Sequence, residues 1–524
     1  MDWLASTLSK KLELQNKFTS KKECTYVCNL IVSEYLSKIK AKISLFSWQD
    51  LLHYLITSNE AICHQRAYSY LTTPTILECF SDIESLVNSE IKNNFLIDST
   101  ALSIRTLIEI IAAEPPTGKK QINFCEMDEL IAISSQLINW AMISDYIHQD
   151  LTRYSIYVLN SGRIIAEAVD HDDIFLPFQK SRLREIYESS SINFENHFVE
   201  DISDFDDRIK PYEIPFKAEF GLSYSEIIKL TAFLIDLGIE RESSSPNMPL
   251  SELKTRIKEE LNWDTELIEK SIELFSLKNR KCWETPPLGF NLNDILPWKY
   301  NRRLSYVRRP LIIGPEPMDD PLVFWGIRHV EEAARYLINL VFSGRYKVNH
   351  EKCSEEIKKL IGSSINKSGT DFTLEVKNWF ETNTDFKTYS EVPIGPNEIF
   401  HSDVDLGDVD VLAIDDVNYQ IYLIECKCIN FGRNAYEVAN EVERFLGNSK
   451  SKNGWMAKHL KRDEWVKSNL NSIIHEYKLE NKTFQVNSIF IISSDILTKY
   501  IHDTLFPIVS FSQLLRDGIS ALQK

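Results

Sequence analysis

The chain has 524 residues, of which 43% are apolar and 26% charged, enough to bury sizeable cores in more than one domain. Only 16 Gly and 18 Pro exclude a collagen-like or linker-dominated chain. A formal net charge of −17 excludes a protein that coats polyanions over its whole surface, but leaves room for a local basic groove.

Nine cysteines are few and odd in number. Cys24 and Cys28 suit one helix face, and Cys426 and Cys428 one strand face. No CxxC meets a second CxxC or a His pair, so a structural zinc site is not expected, and the thiols read as free in a reducing compartment. Met1–Gln15 carries Lys10, Lys11 and Glu13 and has no uninterrupted apolar stretch, so it does not read as a signal peptide. Nowhere do 18 apolar residues run together. The expectation is a soluble cytoplasmic protein with no membrane partner.

Residues 1–242 read as a large all-α region. Thr25–Ile43, Trp48–Ile56, Leu102–Ala113 and Glu129–Tyr146 repeat apolar residues at three- and four-residue spacings. Such a region is expected to sense a trigger, to bind a second protein subunit or to mediate a homo-oligomer. The acid clusters Asp170–Asp173 and Asp201–Asp207 lack the Gly and terminal Glu of a calcium loop and read as exposed loop acids. Ser243–Pro249 (SSSPNMP) has the composition of a linker.

A small basic α+β module is expected over 250–345. Two helices, Leu250–Leu261 and Asp264–Leu277, lead into Lys278–Arg309, which holds eight Lys or Arg against Glu284 and Asp294. Lys299, Arg302, Arg303, Arg308 and Arg309 either form a phosphate-binding surface or pair with the acidic N-terminal region. Arg309–Ile313 and Leu322–Gly326 read as short strands, and Val330–Phe342 as a helix.

The remaining residues, 350–524, read as an α/β domain with a mixed central sheet. Helices are expected at Glu351–Ile361 and Phe372–Phe380, followed by strands at Phe386–Ile394, Asp408–Ile414 and Gln420–Cys428. Further helices (Asn434–Phe445, Trp455–Leu470) precede strands at Gln485–Ile492 and Val509–Phe511.

Two of these strands carry the strongest chemical signal. Gly407-Asp408-Val409-Asp410-Val411-Leu412-Ala413 is followed by Leu423-Ile424-Glu425-Cys426-Lys427. Alternation along a strand puts Glu425 and Lys427 on one face and Cys426 on the other. Charges in strands this apolar need partners or a metal. Two carboxylates from neighbouring strands form an oxygen-rich pocket of the kind Mg²⁺ prefers. A Lys beside them suits polarisation of water and neutralisation of a pentavalent phosphate. On the helix that follows, Trp455, Lys458, His459, Arg462 and Val466 share one face. It reads either as a cationic surface for a DNA backbone or as an ordinary amphipathic helix. No GxxxxGK[ST], GxGxxG or GxSxG is present, which leaves an ATPase motor, a dinucleotide site and a serine-hydrolase elbow without support.

Asp410 followed by Glu425-x-Lys427 resembles the PD-(D/E)XK (restriction-endonuclease-like) nuclease superfamily, and GDVDVLA…IECK looks most like its Mrr-type and Holliday-junction-resolvase-like branches. The resemblance covers roughly 350–515. It implies that Asp410 and Glu425 ligate Mg²⁺, with Mn²⁺ able to substitute, and that Lys427 assists the attacking water. Gly369-Thr-Asp-Phe372-Thr-Leu-Glu375 resembles the acidic helix motif of that superfamily, with Glu375 as the added acid. The Pro of the family name is absent, Gly407-Asp408 standing in its place. The implied activity is Mg²⁺-dependent endonuclease cleavage of DNA, in bacterial defence against phage or foreign DNA. Two alternatives stay open: a catalytically silent scaffold that binds nucleic acid or a partner, and an RNA nuclease with the same triad.

Overall fold

The computed structural model describes residues 2–12, 16–79, 83–168, 171–197, 205–299, 301–315, 319–346, 353–447, 454–480 and 482–523. Asp170 and residues 201–204 of the two acid clusters lie outside the described residues. The chain divides into two compact units. One comprises Met1–Val169 with Ser189–Ser364, the other Asp170–Glu188 with Ile365–Lys524. Among the described residues, no helix is long and apolar enough to cross a membrane.

The first unit is built on long helices: Lys21–Ile43, Trp48–Cys79, Ile83–Ala113 and Phe124–His148. Two of them are started by identifiable caps. Ser20 caps the first by accepting the Glu23 N–H, and Val27, Cys28, Ile31, Tyr35, Ile39 and Ile43 form its buried stripe. Asn123 and Glu126 close a reciprocal capping box on the last. Helices expected at Trp48–Ile56 and Leu102–Ala113 are much longer than their apolar cores.

The all-α expectation for this region needs correction. Strands β1 (Lys17–Phe18), β2 (Tyr154–Val158) and β3 (Ile164–Ala168) form an antiparallel sheet in that order. The hairpin between β2 and β3 turns at Gly162, whose φ of 77° favours glycine. Ser243–Pro249 is not a linker either. Its last three residues form β4 (Asn247–Pro249), with Ser245 and Met248 buried. With β5 (Ser276–Leu277), β6 (Leu311–Ile313) and β7 (Leu322–Phe324), it makes a four-stranded sheet ordered β4-β7-β6-β5. Backbone pairing of β4 with β7 satisfies groups that a solvated linker would leave to water.

The basic segment Lys278–Arg309 folds inward. Trp283 and Tyr306 are buried in the core formed by the long helices. Arg302 pairs with Glu109, both almost fully buried, and Glu109 also accepts the Tyr306 N–H at 2.9 Å. Arg303 makes a bidentate pair with Asp294, at 2.8 and 2.7 Å. Arg308 is buried with its guanidinium 5.4 Å from the Tyr346 ring centroid. Arg309 donates to the carbonyls of Glu273, Ser276 and Arg303. Lys299 pairs with Asp145. Arg302, Arg303, Arg308 and Arg309 therefore do not present a phosphate-binding surface, because their donors are spent on this unit's own carboxylates, carbonyls and ring faces.

The second unit carries a six-stranded sheet of order β13-β12-β11-β10-β8-β9. Its strands are β8 (Lys387–Gly395), β9 (Phe400–His401), β10 (Gly407–Asp415), β11 (Gln420–Lys427), β12 (Gln485–Ile492) and β13 (Ile508–Ser510). β8, β10 and β11 run antiparallel, whereas β11, β12 and β13 run parallel, so the sheet is mixed. The two helices expected before β8 are one, Glu355–Asn383. Its Phe372, Val376, Trp379 and Phe380 pack on the sheet face that carries Ile424 and Cys426. The helices Trp455–Ser468 and Leu470–Glu476 contribute Val466 and Ile473 to the core on Leu412, Ile421 and Leu423.

Glu109→Gln leaves the Arg302 guanidinium buried without a counter-charge, and is expected to cost about 3–5 kcal/mol in urea unfolding. Breaking the exposed Lys278–Glu273 pair should change stability by less than about 1 kcal/mol in the same experiment.

Candidate active site

The site arises where β10 and β11 part. Their antiparallel register runs from Asp415–Gln420 at the turn to Val411–Ile424 and ends there. On its other edge β11 stays paired with β12 as far as Lys427–Ile492. The Cys426 N–H is thus left without a β10 carbonyl, and the Asp410 carboxylate takes it at 2.7 Å. β10 begins at Gly407, whose φ is 70°, in the left-handed region that favours glycine.

Glu425 and Lys427 project together from the face opposite Cys426. Lys427 Nζ lies 2.7 Å from Glu425 Oε1 and 3.4 Å from Asp410 Oδ2, so one ammonium bridges the two carboxylates. It also donates to the Cys426 carbonyl at 3.0 Å and sits 5.7 Å from the Trp455 ring centroid. The other oxygen of Glu425 is held by Arg462 Nη2, while Arg462 Nη1 donates to the Leu406 carbonyl at 3.3 Å. His459 Nδ1 stands 3.6 Å from the same Glu425 oxygen. Its ring packs edge-on against Phe490 and Phe506.

Electrostatics follow from this burial. Asp410 is pushed above the ordinary carboxylate range, first by desolvation and then by the negative charge of Glu425. Lys427 stays protonated, because the two carboxylates outweigh the desolvation that opposes its charge. Burial, aided by the Arg462 charge, pulls His459 down to about 3, so its ring is neutral. Two carboxylates, an ammonium and a guanidinium therefore share one small, mostly buried volume.

The structure brings Asp410, Glu425 and Lys427 together as the strand pattern predicts, and corrects the other assignments. Glu375 lies exposed on the Glu355–Asn383 helix, and no trio of Asp410, Glu425 and Glu375 has ligand atoms within 4.8 Å of one another. The helix containing Glu375 packs on the Cys426 face, whereas Glu425 points to the other. Lys458 is exposed, as a DNA-backbone contact requires, but His459 and Arg462 are not. Both turn inward to Glu425, so the helix does not display one cationic face to solvent. Sequence periodicity placed these residues on a common face; it could not say that the face was the inner one.

The donor set suits a hard cation. Asp410 Oδ1 accepts no hydrogen bond, and Glu425 Oε1 is engaged by Lys427 alone. Oxygen ligands with places left for water match Mg²⁺ or Mn²⁺ better than a soft metal. Asp410 and Glu425 would hold such an ion, without Glu375.

Fold and cluster define a mixed-sheet α/β unit with a carboxylate–lysine site at a strand divergence, attached in sequence to a largely helical unit. The chain belongs to the anti-phage protein Upx-like family, whose model matches residues 8–501. Membership supports the expected role in defence against phage. No curated protein and no solved structure matches the chain.

Arg462→Ala leaves Glu425 Oε2 buried without its partner and should destabilise the protein by about 3–5 kcal/mol in denaturant unfolding, whereas Lys458→Ala should change it by less than about 0.5 kcal/mol. Equal, small effects would mean that Arg462 is a surface residue. A second expectation concerns pH. A carboxyl whose folded-state pKa exceeds its unfolded value binds protons more tightly in the native chain. Its ionisation costs stability, fully above the folded pKa and not at all below the unfolded one. Asp410→Asn should therefore raise the Tm in EDTA at pH 7.5, and the gain should vanish as pH falls through the carboxylate range.

Proposed function

We propose that the chain is a metal-dependent endonuclease that hydrolyses DNA phosphodiester bonds during defence against phage. One observation carries this reading: Asp410, Glu425 and Lys427, whose sequence pattern resembles the PD-(D/E)XK nucleases, converge where β10 and β11 separate in a mixed sheet. Mg²⁺ bound there would supply Lewis-acid activation of water and neutralisation of the charge developing on the phosphate.

The chain's own part is positioning. Asp410 is fixed by the Cys426 N–H, and Glu425 by Arg462, so neither carboxylate needs to reorganise when a substrate arrives. Lys427 reaches the space between them from a rigid strand. Its ammonium can orient a water and offset negative charge on a phosphate oxygen. His459, neutral and enclosed, is a positioning residue beside Glu425 and not a general base. Of the exposed lysines on the Trp455–Ser468 helix, Lys467 pairs with Asp463, and Lys458 and Lys461 are left able to meet a phosphate backbone.

The test is cleavage of supercoiled plasmid, linear duplex, single-stranded DNA and RNA by the full chain, with Mg²⁺, Mn²⁺ or EDTA. Asp410→Ala and Lys427→Ala should each lower metal-dependent cutting of DNA by about 100-fold or more. Preference for RNA would replace the substrate and keep the triad. Nucleic-acid binding without cutting, unchanged in Lys427→Ala, would establish a scaffold in its place.

A further inference from the structure

The first unit holds another concentration of reactive side chains. Cys63 on the Trp48–Cys79 helix faces His329 and Glu332, which stand one turn apart on the Ile327–Phe342 helix. One ligand atom from each of the three lies within 4.8 Å of the others. Cys63 and His329 are buried, whereas Glu332 keeps a side-chain exposure of 37%.

The hydrogen bonds decide which histidine nitrogen is free. Nε2 is 3.1 Å from the Tyr306 carbonyl, which can only accept, so Nε2 bears the proton. Nδ1 then presents its lone pair, 3.9 Å from Glu332 Oε2, and finds no hydrogen-bond donor. Its ring is fully buried and stacked on Tyr306 at 4.0 Å, and is therefore held in that orientation. The Tyr306 hydroxyl and Arg105 Nε are likewise buried without partners. Buried polar atoms are nearly always satisfied, so the bare Nδ1 lone pair, aimed at Cys63 and Glu332, marks the place of a missing partner, while the Arg105 and Tyr306 donors suit an anion beside it.

We propose that Cys63, His329 and Glu332 form a zinc site. A thiolate and a carboxylate cancel the charge of Zn²⁺, which is what a buried ion requires. The thiolate disfavours Mg²⁺ and Ca²⁺. A backbone carbonyl on the far nitrogen of a metal-binding histidine is the usual device for fixing its tautomer. Ligand atoms around tetrahedral Zn²⁺ lie roughly 3.3–3.8 Å apart, so small side-chain movements complete the shell. Three protein ligands leave a fourth position, on the side where Glu332 lines a cavity of about 470 Å³ with Arg66, Arg105 and Arg335. Those guanidinium groups favour an anion there, hydroxide included.

Cobalt tests the site, because a Co²⁺–thiolate bond gives a near-ultraviolet charge-transfer band that oxygen ligands do not. Titration of the metal-free full chain with Co²⁺ should produce this band at one ion per chain, and Zn²⁺ should abolish it. Cys63→Ser should lose the band, while Cys426→Ser and Asp410→Ala should keep it. Glu332→Gln, at a partly exposed position that tolerates change, should keep the Tm measured in EDTA and weaken Co²⁺ binding by roughly tenfold or more. No charge-transfer band in folded wild-type protein would overturn the proposal. So would a band that survives Cys63→Ser, or an unchanged affinity in Glu332→Gln.

Discussion

The second unit depends on how one strand is shared. β11 is locked to β12 along its whole length but released by β10 after Ile424. Had the hairpin stayed zipped, the Cys426 N–H would have found a backbone carbonyl and the Asp410 side chain would have had no place in the ladder. Separation creates an unmet donor inside an apolar sheet, and a buried donor of that kind costs more than a hydrogen bond returns. Asp410 removes that cost by accepting it. In doing so it is held within reach of Lys427, which Glu425 grips from the same strand. Backbone accounting thus places three ionisable groups at one edge.

Holding them there is unfavourable unless charges are matched. Glu425 is matched twice, by Lys427 and by Arg462. Burial, and after it the charge of Glu425, holds Asp410 above its usual pKa range, against the opposing pull of Lys427. Such residual frustration is common where chemistry or ion binding is expected, since groups tuned by burial are the ones able to change charge state or accept a cation. Three arginines of the segment Lys278–Arg309 show the opposite arrangement. Arg302 and Arg303 each meet a carboxylate, and Arg309 caps three carbonyls, so the basic segment is structural despite its local excess of positive charge.

Much of the second unit was legible in the sequence because its signals are local. Gln485–Ile492 is an apolar, β-branched run, and β12 has those bounds. Asp410, Glu425 and Lys427 could be placed because strand alternation fixes the face of each. The single helix Glu355–Asn383 was not legible, since Gly362 and Gly369 look like breaks. A Cβ at either would meet nothing within 4 Å, so these glycines mark no turn or close packing and cost only about 1 kcal/mol each against Ala. β2 and β3 were missed because five half-buried residues on each side of a turn are too short to stand out beside long helices. The inward direction of His459 and Arg462 was hidden for another reason. Periodicity groups residues on a face, but only the position of Glu425 on a strand more than 30 residues earlier decides that this face is the buried one. Cys63 and His329 were invisible for the same reason on a larger scale, as no local spacing links them.

The two clusters differ in a way that allows them to coexist in one chain. Asp410 and Glu425 offer only carboxylate oxygens on a strand edge, a set that holds hard cations weakly and leaves room for water and phosphate. Cys63, His329 and Glu332 offer sulfur, nitrogen and oxygen within a helix pair, a set that borderline metals prefer by orders of magnitude. A cell with millimolar Mg²⁺ and scarce Zn²⁺ would sort the ions by ligand chemistry alone. On the two proposed readings, the thiolate and imidazole would draw the scarce Zn²⁺ to the first unit, and the carboxylate pair would be left to the far more abundant Mg²⁺.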